Sequence, residues 1–345
     1  MKGRMAVLGR IEGQRAAAQI VDGRLQDFLI EPAENTVPLP GAIYRAVVDR
    51  PLKGQGGMIL RLPGGTAFLR QGKGLSPGQT LLVQVTGFAD EGKATPVTSK
   101  ILFKSRYAIV TPNAPGINVS RSVKDDDVRE SLLEIAHETM GNEGYGLIVR
   151  SSAAGADADE VAEDIAEMCA SAADTLAGES GEGAELLLDG PDPHHLAWRD
   201  WAEIDNVATE ASAFEDHAVP DLLEPFCTPY VGLSGGASMY VEPTRALVAV
   251  DVNTGADTSS AAGLKANLAA ARDLPRQLRI RGLGGQITID FAPMPKKDRR
   301  QMEQALRSAF RADAVDTTLV GWTPLGHYEL QRKRERRSLM ESLPR

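Results

Sequence analysis

TRALVAVDVNTG (residues 244–255) and its echo GQITIDF (residues 285–291) decide how this chain is read. Each is a short apolar run rich in β-branched residues, the pattern of a strand buried on both faces. Each run carries an aspartate at or near its end, Asp251 and Asp290. A buried strand has no structural use for an unpaired carboxylate, whose burial is costly or shifts its pKa. Two such strands side by side bring both carboxylates to one sheet edge, where they repel unless something positive lies between them. A hard divalent cation, Mg²⁺ or Mn²⁺, fills that role. Read singly, either aspartate serves equally as a helix cap or turn residue. The pair, with Asn253 beside the first, favours the metal.

At 345 residues the chain has room for two or more domains and an ample core. It has no run of about 18 apolar residues to span a bilayer. The opening MKGRMAVLGR lacks the apolar stretch of a secretory signal. Cys169 and Cys227 fit no CxxC spacing and read as reduced thiols of a cytoplasmic protein. The histidines form no HExxH or finger pattern, and His194-His195, in a Pro-rich loop, reads as surface. A net charge of −9 argues against a nucleic-acid partner until it is resolved along the chain. Residues 151–230 carry 20 Asp/Glu against one basic residue, Arg199, whereas residues 265–345 carry 17 Lys/Arg against 9 Asp/Glu. A carboxylate pair flanked by basic surface suits a phosphodiester substrate. The competing reading makes Arg299-Arg300 and residues 332–337 solvated helix faces.

In chain order, AAAQIVDGRLQDFLIE (16–31) gives two strands turning at Asp22-Gly23. After a break at Leu39-Pro40, five short β runs with Gly/Pro turns fill residues 41–102. They make a small barrel, most economically an OB-fold, which binds single-stranded nucleic acid through exposed aromatic and basic side chains. Phe68 and Lys93 are candidates, although a Phe there serves equally as core. RYAIVTP (106–112) and GYGLIVRSS (144–152) read as strands around a helix over 124–140 that opens with three aspartates. Arg150 with two serines at a strand end suits a phosphate clamp, or equally a surface salt bridge. Residues 158–177 read as an acidic helix, 178–193 as a linker with LLLDG a short strand, and 198–213 as strand and helix. SGGASMYVEP pairs antiparallel with TRALVAVDVNTG. A helix over 261–281, interrupted or restarted at Pro275 and closed by Gly282, leads into GGQITIDF. An amphipathic helix over 297–312 turns Met302, Ala305, Leu306 and Ala309 inward. TTLVGWTP is a strand and YELQRKRERRSLM a basic helix end, giving a mixed sheet with helices packed on it.

With these segments in order, the chain resembles the bacterial ribonuclease E/G family. TRALVAVDVNTG, NL…A…RQLRIRGLGGQITIDF and TPLGHYELQRKRERRSL carry the likeness most clearly. VDGRLQDFLIE, GAIYRAVVDR and SRYAIVTPN…SRSV…GLIVRSSAAG extend it over nearly the whole chain. The resemblance implies an α/β (α+β multi-domain) fold. An RNase H-like subdomain in two parts (1–38 and 180–228) would carry an inserted S1-type OB-fold (39–102) and a 5′-sensor subdomain (103–179), with a DNase I-like catalytic subdomain following (229–345). It implies a Mg²⁺-dependent endoribonuclease (Mn²⁺ also serving) that cuts single-stranded RNA and favours 5′-monophosphorylated ends. Products would carry a 5′-phosphate and a 3′-hydroxyl. By the same resemblance Asp251 and Asp290 would hold the metal, with Asn253 as their polar partner. Phe68 and Lys93 would contact RNA, and Arg150, Ser151, Ile109 and Arg121 would sense the 5′-phosphate.

The chain departs from the family pattern in several places. Ser151 replaces a usual threonine, Ser105 a frequent glycine, and Met58 stands near the place of a second barrel aromatic. Pro293 replaces a carboxylate three residues after Asp290, and Asp316 replaces an arginine. The chain ends at Arg345, where the family usually continues into a Cys-x-x-Cys zinc link and a small dimerisation domain. No zinc site and no zinc-linked dimer are therefore expected, and the oligomeric state stays open. These departures also admit an RNA-binding homologue that cleaves weakly. A third reading, a metal-dependent phosphodiesterase acting on DNA, is disfavoured by the barrel and the resemblance.

Overall fold

The computed structural model describes residues 3–33, 37–52, 54, 56–90, 92–140 and 144–344. The expected first segment's opening residues, Met1 and Lys2, and the closing Arg345 lie outside them. Cα packing divides the chain into two units, Met1–Asn35 with Glu203–Arg345, and Thr36–Ala202. Both are mixtures of strand and helix.

The chain begins with an antiparallel meander, β1 (Arg4–Ile11), β2 (Gln14–Val21) and β3 (Arg24–Ile30). Asp22 and Gly23 make the β2–β3 turn, both with positive φ as a tight hairpin requires.

The second unit starts with the expected barrel. β4 (Ile43–Pro51), β5 (Met58–Leu62), β6 (Gly65–Leu69), β7 (Thr80–Val85) and β8 (Thr95–Thr98) run in spatial order β4-β5-β6-β8-β7, and β7 closes on β4. The closed barrel is OB-like, filled by Ala46, Val48, Leu60, Leu69 and Val83. Met58 belongs to that core too, so it is no surface substitute for a stacking aromatic. A second sheet, in the order β11-β12-β10-β9, joins β9 (Phe103–Lys104), β10 (Ala108–Thr111), β11 (Gly116–Val119) and β12 (Gly146–Val149). Helices α1 (Asp126–Met140) and α2 (Ala158–Ala177) pack on it through Leu132, Ala136, Ile165 and Ala172. Asp157 caps α2 by accepting from the backbone N–H of Asp159. β13 (Glu185–Leu188) pairs with β4 of the barrel. Residues 180–202 fall in the same Cα-packed unit as the barrel. His194 and His195 lie in the first turn of α3 (Pro193–Asp200), not in a loop.

The chain returns to the first unit at β14 (Asn206–Ala208), which adds parallel to β1. Short helices α4 (Ala213–Asp216) and α5 (Val219–Leu223) bring Phe214, Val219 and Leu223 onto Val7, Ala16, Ala18 and Phe28. A six-stranded mixed sheet follows, β15-β16-β17-β18-β20-β19. Its strands are β15 (Tyr230–Gly232), β16 (Ser238–Pro243), β17 (Val248–Asn253), β18 (Gly285–Asp290), β19 (Thr317–Trp322) and β20 (Tyr328–Arg332). Helix α6 (Ala262–Ile280) makes the parallel crossover from β17 to β18, and α7 (Arg299–Arg311) packs beside it.

Four expectations change here. The two signature strands are buried on one face only: Val248, Val250, Val252, Ile287 and Ile289 meet α6 and α7, while alternate residues face away from that core. Helix α6 runs unbroken through Pro275, because the stripe Ala266, Ala270, Leu274 and Leu278 is buried along its whole length. Burial of that stripe outweighs the hydrogen bond the proline removes. The YELQR segment is the strand β20, not a helix. Its buried Tyr328, Leu330 and Arg332 alternate with Glu329 and Gln331 at period two, and it pairs with both β18 and β19. The chain closes on the short helix α8 (Leu339–Ser342). In α7 Met302 and Leu306 are buried and Ala305 packs against the same core, as expected, while Phe310 is buried where Ala309 was expected.

Candidate active site

The open face of the six-stranded sheet carries the carboxylates. β17 and β18 are parallel neighbours, and Asp251 stands directly opposite Asp290. Neighbouring strands lie about 4.8 Å apart, and side chains at one register point to the same face. Both aspartates are exposed, so their role cannot be argued from burial. It rests on juxtaposition: two carboxylates of like charge held together by backbone pairing. Asn253, two residues on and so on the same face, donates from Nδ2 to Asp251 Oδ2 at 2.8 Å. His327 Nε2 lies 3.9 Å from Asp290 Oδ1. Among the described residues neither carboxylate has a Lys or Arg partner.

Three further residues fix the strand ends, and sequence reasoning gave none of them a role. Asn267 is fully buried in α6; its Oδ1 accepts from the Ala292 backbone N–H and its Nδ2 donates to the Ala292 carbonyl, both at 2.9 Å. This clamp holds the chain where it leaves β18, two residues after Asp290. The available signal was a lone asparagine among the alanines and leucines of an inward helix face. Gly263, one turn earlier, comes so close to this segment that a Cβ there would stand 2.0 Å from the Pro293 carbonyl. Asn267→Ala leaves two buried backbone groups without partners and is expected to destabilise the fold by about 2–4 kcal/mol. A urea melt measures this; an unchanged midpoint would remove the clamp. Gly255 does the same service after Asn253, with φ +65° and room for no Cβ, since one would stand 2.1 Å from the Gly236 carbonyl.

The other expected site residues fall in the second unit. Arg150 directly follows β12, and its guanidinium is already engaged. It donates to the carbonyls of Ser105, Arg106 (3.1 Å) and Arg199 (3.1 Å) and to Asp200 Oδ1 (3.0 Å). Lys104 and Arg199 reach the same carboxylate at 2.9 and 2.6 Å. Burial works against charge on Asp200, but the hydrogen bond and charge of Arg199, joined by Lys104, hold its carboxyl well below the usual carboxylate range. Three cations thus share one anion. Ile109 is half-buried and sits opposite Lys104 and Ile148 in the sheet; Ser151 and Arg121 are exposed, in the turns after β12 and β11. Ser105 is buried, its hydroxyl donating to Asp164 Oδ2 at 2.5 Å. In the barrel Phe68 is half-buried between the buried Ala67 and Leu69, which points it away from the core. Lys93 is paired with Asp90 at 2.6 Å.

The basic excess near the carboxylates is partly internal. Arg332 is 2% exposed and pairs with Asp313, which also receives Arg279. Arg336 and Arg279 converge on Asp27 of β3. Buried Arg281 donates to the carbonyls of Phe226 (2.8 Å) and Thr228 (2.5 Å), and burial lowers its pKa to about 10. These arginines, read from the sequence as RNA-facing or solvated, instead tie the last segment to the meander and to the chain before β15.

The chain thus combines a helix-backed mixed sheet, with two carboxylates in register on its open face, and an OB-like barrel. The model of the Ribonuclease E/G family matches residues 103–209 and 193–335, and the chain belongs to that family. It is 26% identical to Ribonuclease E of Nostoc sp. over 96% of this chain and 56% of that protein. It is 29% identical to Ribonuclease G of Salmonella typhimurium over 76% of this chain and 61% of that protein. With Ribonuclease E of Escherichia coli the identity is 30%, covering 78% of this chain and 29% of the other. The chain therefore spans little more than half the length of the first two relatives.

Proposed function

We propose that this chain is a Mg²⁺-dependent endoribonuclease, Mn²⁺ also serving, that cleaves single-stranded RNA to 5′-phosphate and 3′-hydroxyl ends. The observation that carries the reading is the register of Asp251 against Asp290 on an exposed sheet face. Two exposed carboxylates without a Lys or Arg partner fit a hard cation that takes one or two protein carboxylates and completes its shell with water and phosphate oxygens. In this reading the two aspartates are the protein ligands, brought together by their shared register. When bound, the cation supplies Lewis-acid stabilisation of charge developing on the phosphoryl oxygens. Asn253, through its bond to Asp251 Oδ2, fixes the orientation of that carboxylate. Asn267 holds the segment just beyond β18 against α6. Asp251, Asn253 and Asp290 are all exposed on that face, where an extended RNA strand would lie across them.

In this reading the helix-backed sheet is the DNase I-like catalytic part, and the meander with β14 is the RNase H-like part. The barrel is the S1-type module, holding RNA through Phe68 and Lys93 by stacking and charge. A 5′-monophosphate binds the cations around Asp200, with Arg150 the principal donor and Ser151, Ile109 and Arg121 shaping the pocket. The cluster keeps net positive charge after Asp200 is counted, which suits a terminal phosphate. Arg150→Ala is then expected to lower the ratio of cleavage rates for 5′-phosphate over 5′-hydroxyl RNA toward unity, measured on matched labelled oligonucleotides. An unchanged ratio would remove the sensor. Cleavage of single-stranded RNA but not of the matching DNA tests the substrate class.

A further inference from the structure

The row of residues that holds the two aspartates continues across the sheet into two tyrosines. Asp290 stands opposite Asp251, Asp251 opposite Tyr240 of β16, and Tyr240 opposite Tyr230 of β15. All four occupy one register line on the open face, so Tyr240 is one strand spacing from Asp251, about 4.8 Å. The rings are not part of the core that backs the sheet: Val231, Met239 and Val241 fill it, while Tyr230 and Tyr240 are 52% and 40% exposed. They meet edge to face, with centroids 5.6 Å apart and planes at 70°. In such a pair one ring turns its edge to the other's face, which leaves ring faces free for a further partner. The next register line on this side carries only Gly232, Ser238 and Asn253, so small side chains border the rings there.

We infer that Tyr230 and Tyr240 form a stacking platform for a nucleobase of the RNA strand next to the scissile phosphate. The occupant follows from the neighbours. A phosphodiester held at the carboxylates has its flanking nucleosides within a few ångströms, and the aromatic surface lies one strand away on the same face. Every base has a π-face, so such a platform holds RNA without strict sequence choice. It also sets which linkage lies over the aspartates, and this makes it a positioning device. The inference rests on the proposed RNA-cleaving role of Asp251 and Asp290.

The test separates the two. Short single-stranded RNAs, kept intact by withholding the metal, each carry one 5-iodouridine at successive positions. They are irradiated with the full chain in EDTA, and crosslinked peptides are mapped. The expected crosslink is to Tyr230 or Tyr240 from one position in the RNA, and it is lost in Tyr230→Ala and Tyr240→Ala. On RNA of the same sequence with Mg²⁺ supplied, the alanine variants should raise KM about tenfold, as loss of one stacked base does, and Tyr230→Phe and Tyr240→Phe should restore it. Crosslinks confined to other residues, or alanine variants with unchanged KM and crosslinking, overturn the platform. A tyrosine crosslink in a protein that cleaves no RNA would overturn the catalytic reading and leave the platform standing. Cleavage of the normal RNA without any tyrosine crosslink would do the reverse.

Discussion

Asp251→Asn and Asp290→Asn should each lower the rate of RNA cleavage by about 10³-fold or more, the loss of several kcal/mol of transition-state stabilisation. Asparagine keeps the shape of aspartate and removes its charge, so the exposed positions on β17 and β18 tolerate it and the fold is retained. RNA affinity measured without metal should not weaken, because two negative charges near a polyanion oppose binding. The two losses should also be far from additive in the double variant, since one cation would depend on both carboxylates. Equal losses of RNA binding and thermal stability would instead make the aspartates structural.

The second large effect concerns Asp27. Its carboxylate is buried in β3 and receives Arg336 Nη2 at 2.9 Å and Arg279 Nε at 3.4 Å. Asp27→Ala leaves two largely buried guanidinium groups short of a counter-charge, a change that costs about 3–5 kcal/mol in buried pairs. The same arginine, Arg279, also reaches Asp313 of the segment before β19. A denaturant melt should therefore show a lower midpoint for the unit that holds Asp251 and Asp290, with any cleavage lost at temperatures the parent protein withstands. If Asp27→Ala melts like the parent, this network is not what holds the closing segment in place.

Much of this was readable in the residues, for identifiable reasons. The barrel strands were legible because Gly and Pro mark each turn and short apolar runs lie between them. The Asp22-Gly23 hairpin was legible because that dipeptide suits positive φ. Asp251 and Asp290 were legible as a pair because each carries its carboxylate at or next to the last residue of a similar apolar run. Burial was not legible: an apolar run with Ala249 and Thr288 on its other face looks like a strand covered on both sides. Composition could not say which arginines face water, because Arg332 and Arg336 depend on Asp313 and Asp27, neighbours only in the folded chain. The strand at residues 328–332 was hidden by charged residues that favour helix locally, and its partners β18 and β19 override that preference. Asn267 needed the folded chain too, since its two bonds go to backbone 25 residues away. Tyr230 and Tyr240 became informative only when register placed them in line with the aspartates.

Incubating the folded protein with end-labelled single-stranded RNA, with Mg²⁺ or with EDTA, puts the assignment of Asp251 and Asp290 to the test. Fragments should form with Mg²⁺, carry 5′-phosphate and 3′-hydroxyl ends, and vanish with EDTA. Cleavage that persists in EDTA, or a well-folded protein that cuts no RNA at any Mg²⁺ concentration, would contradict it.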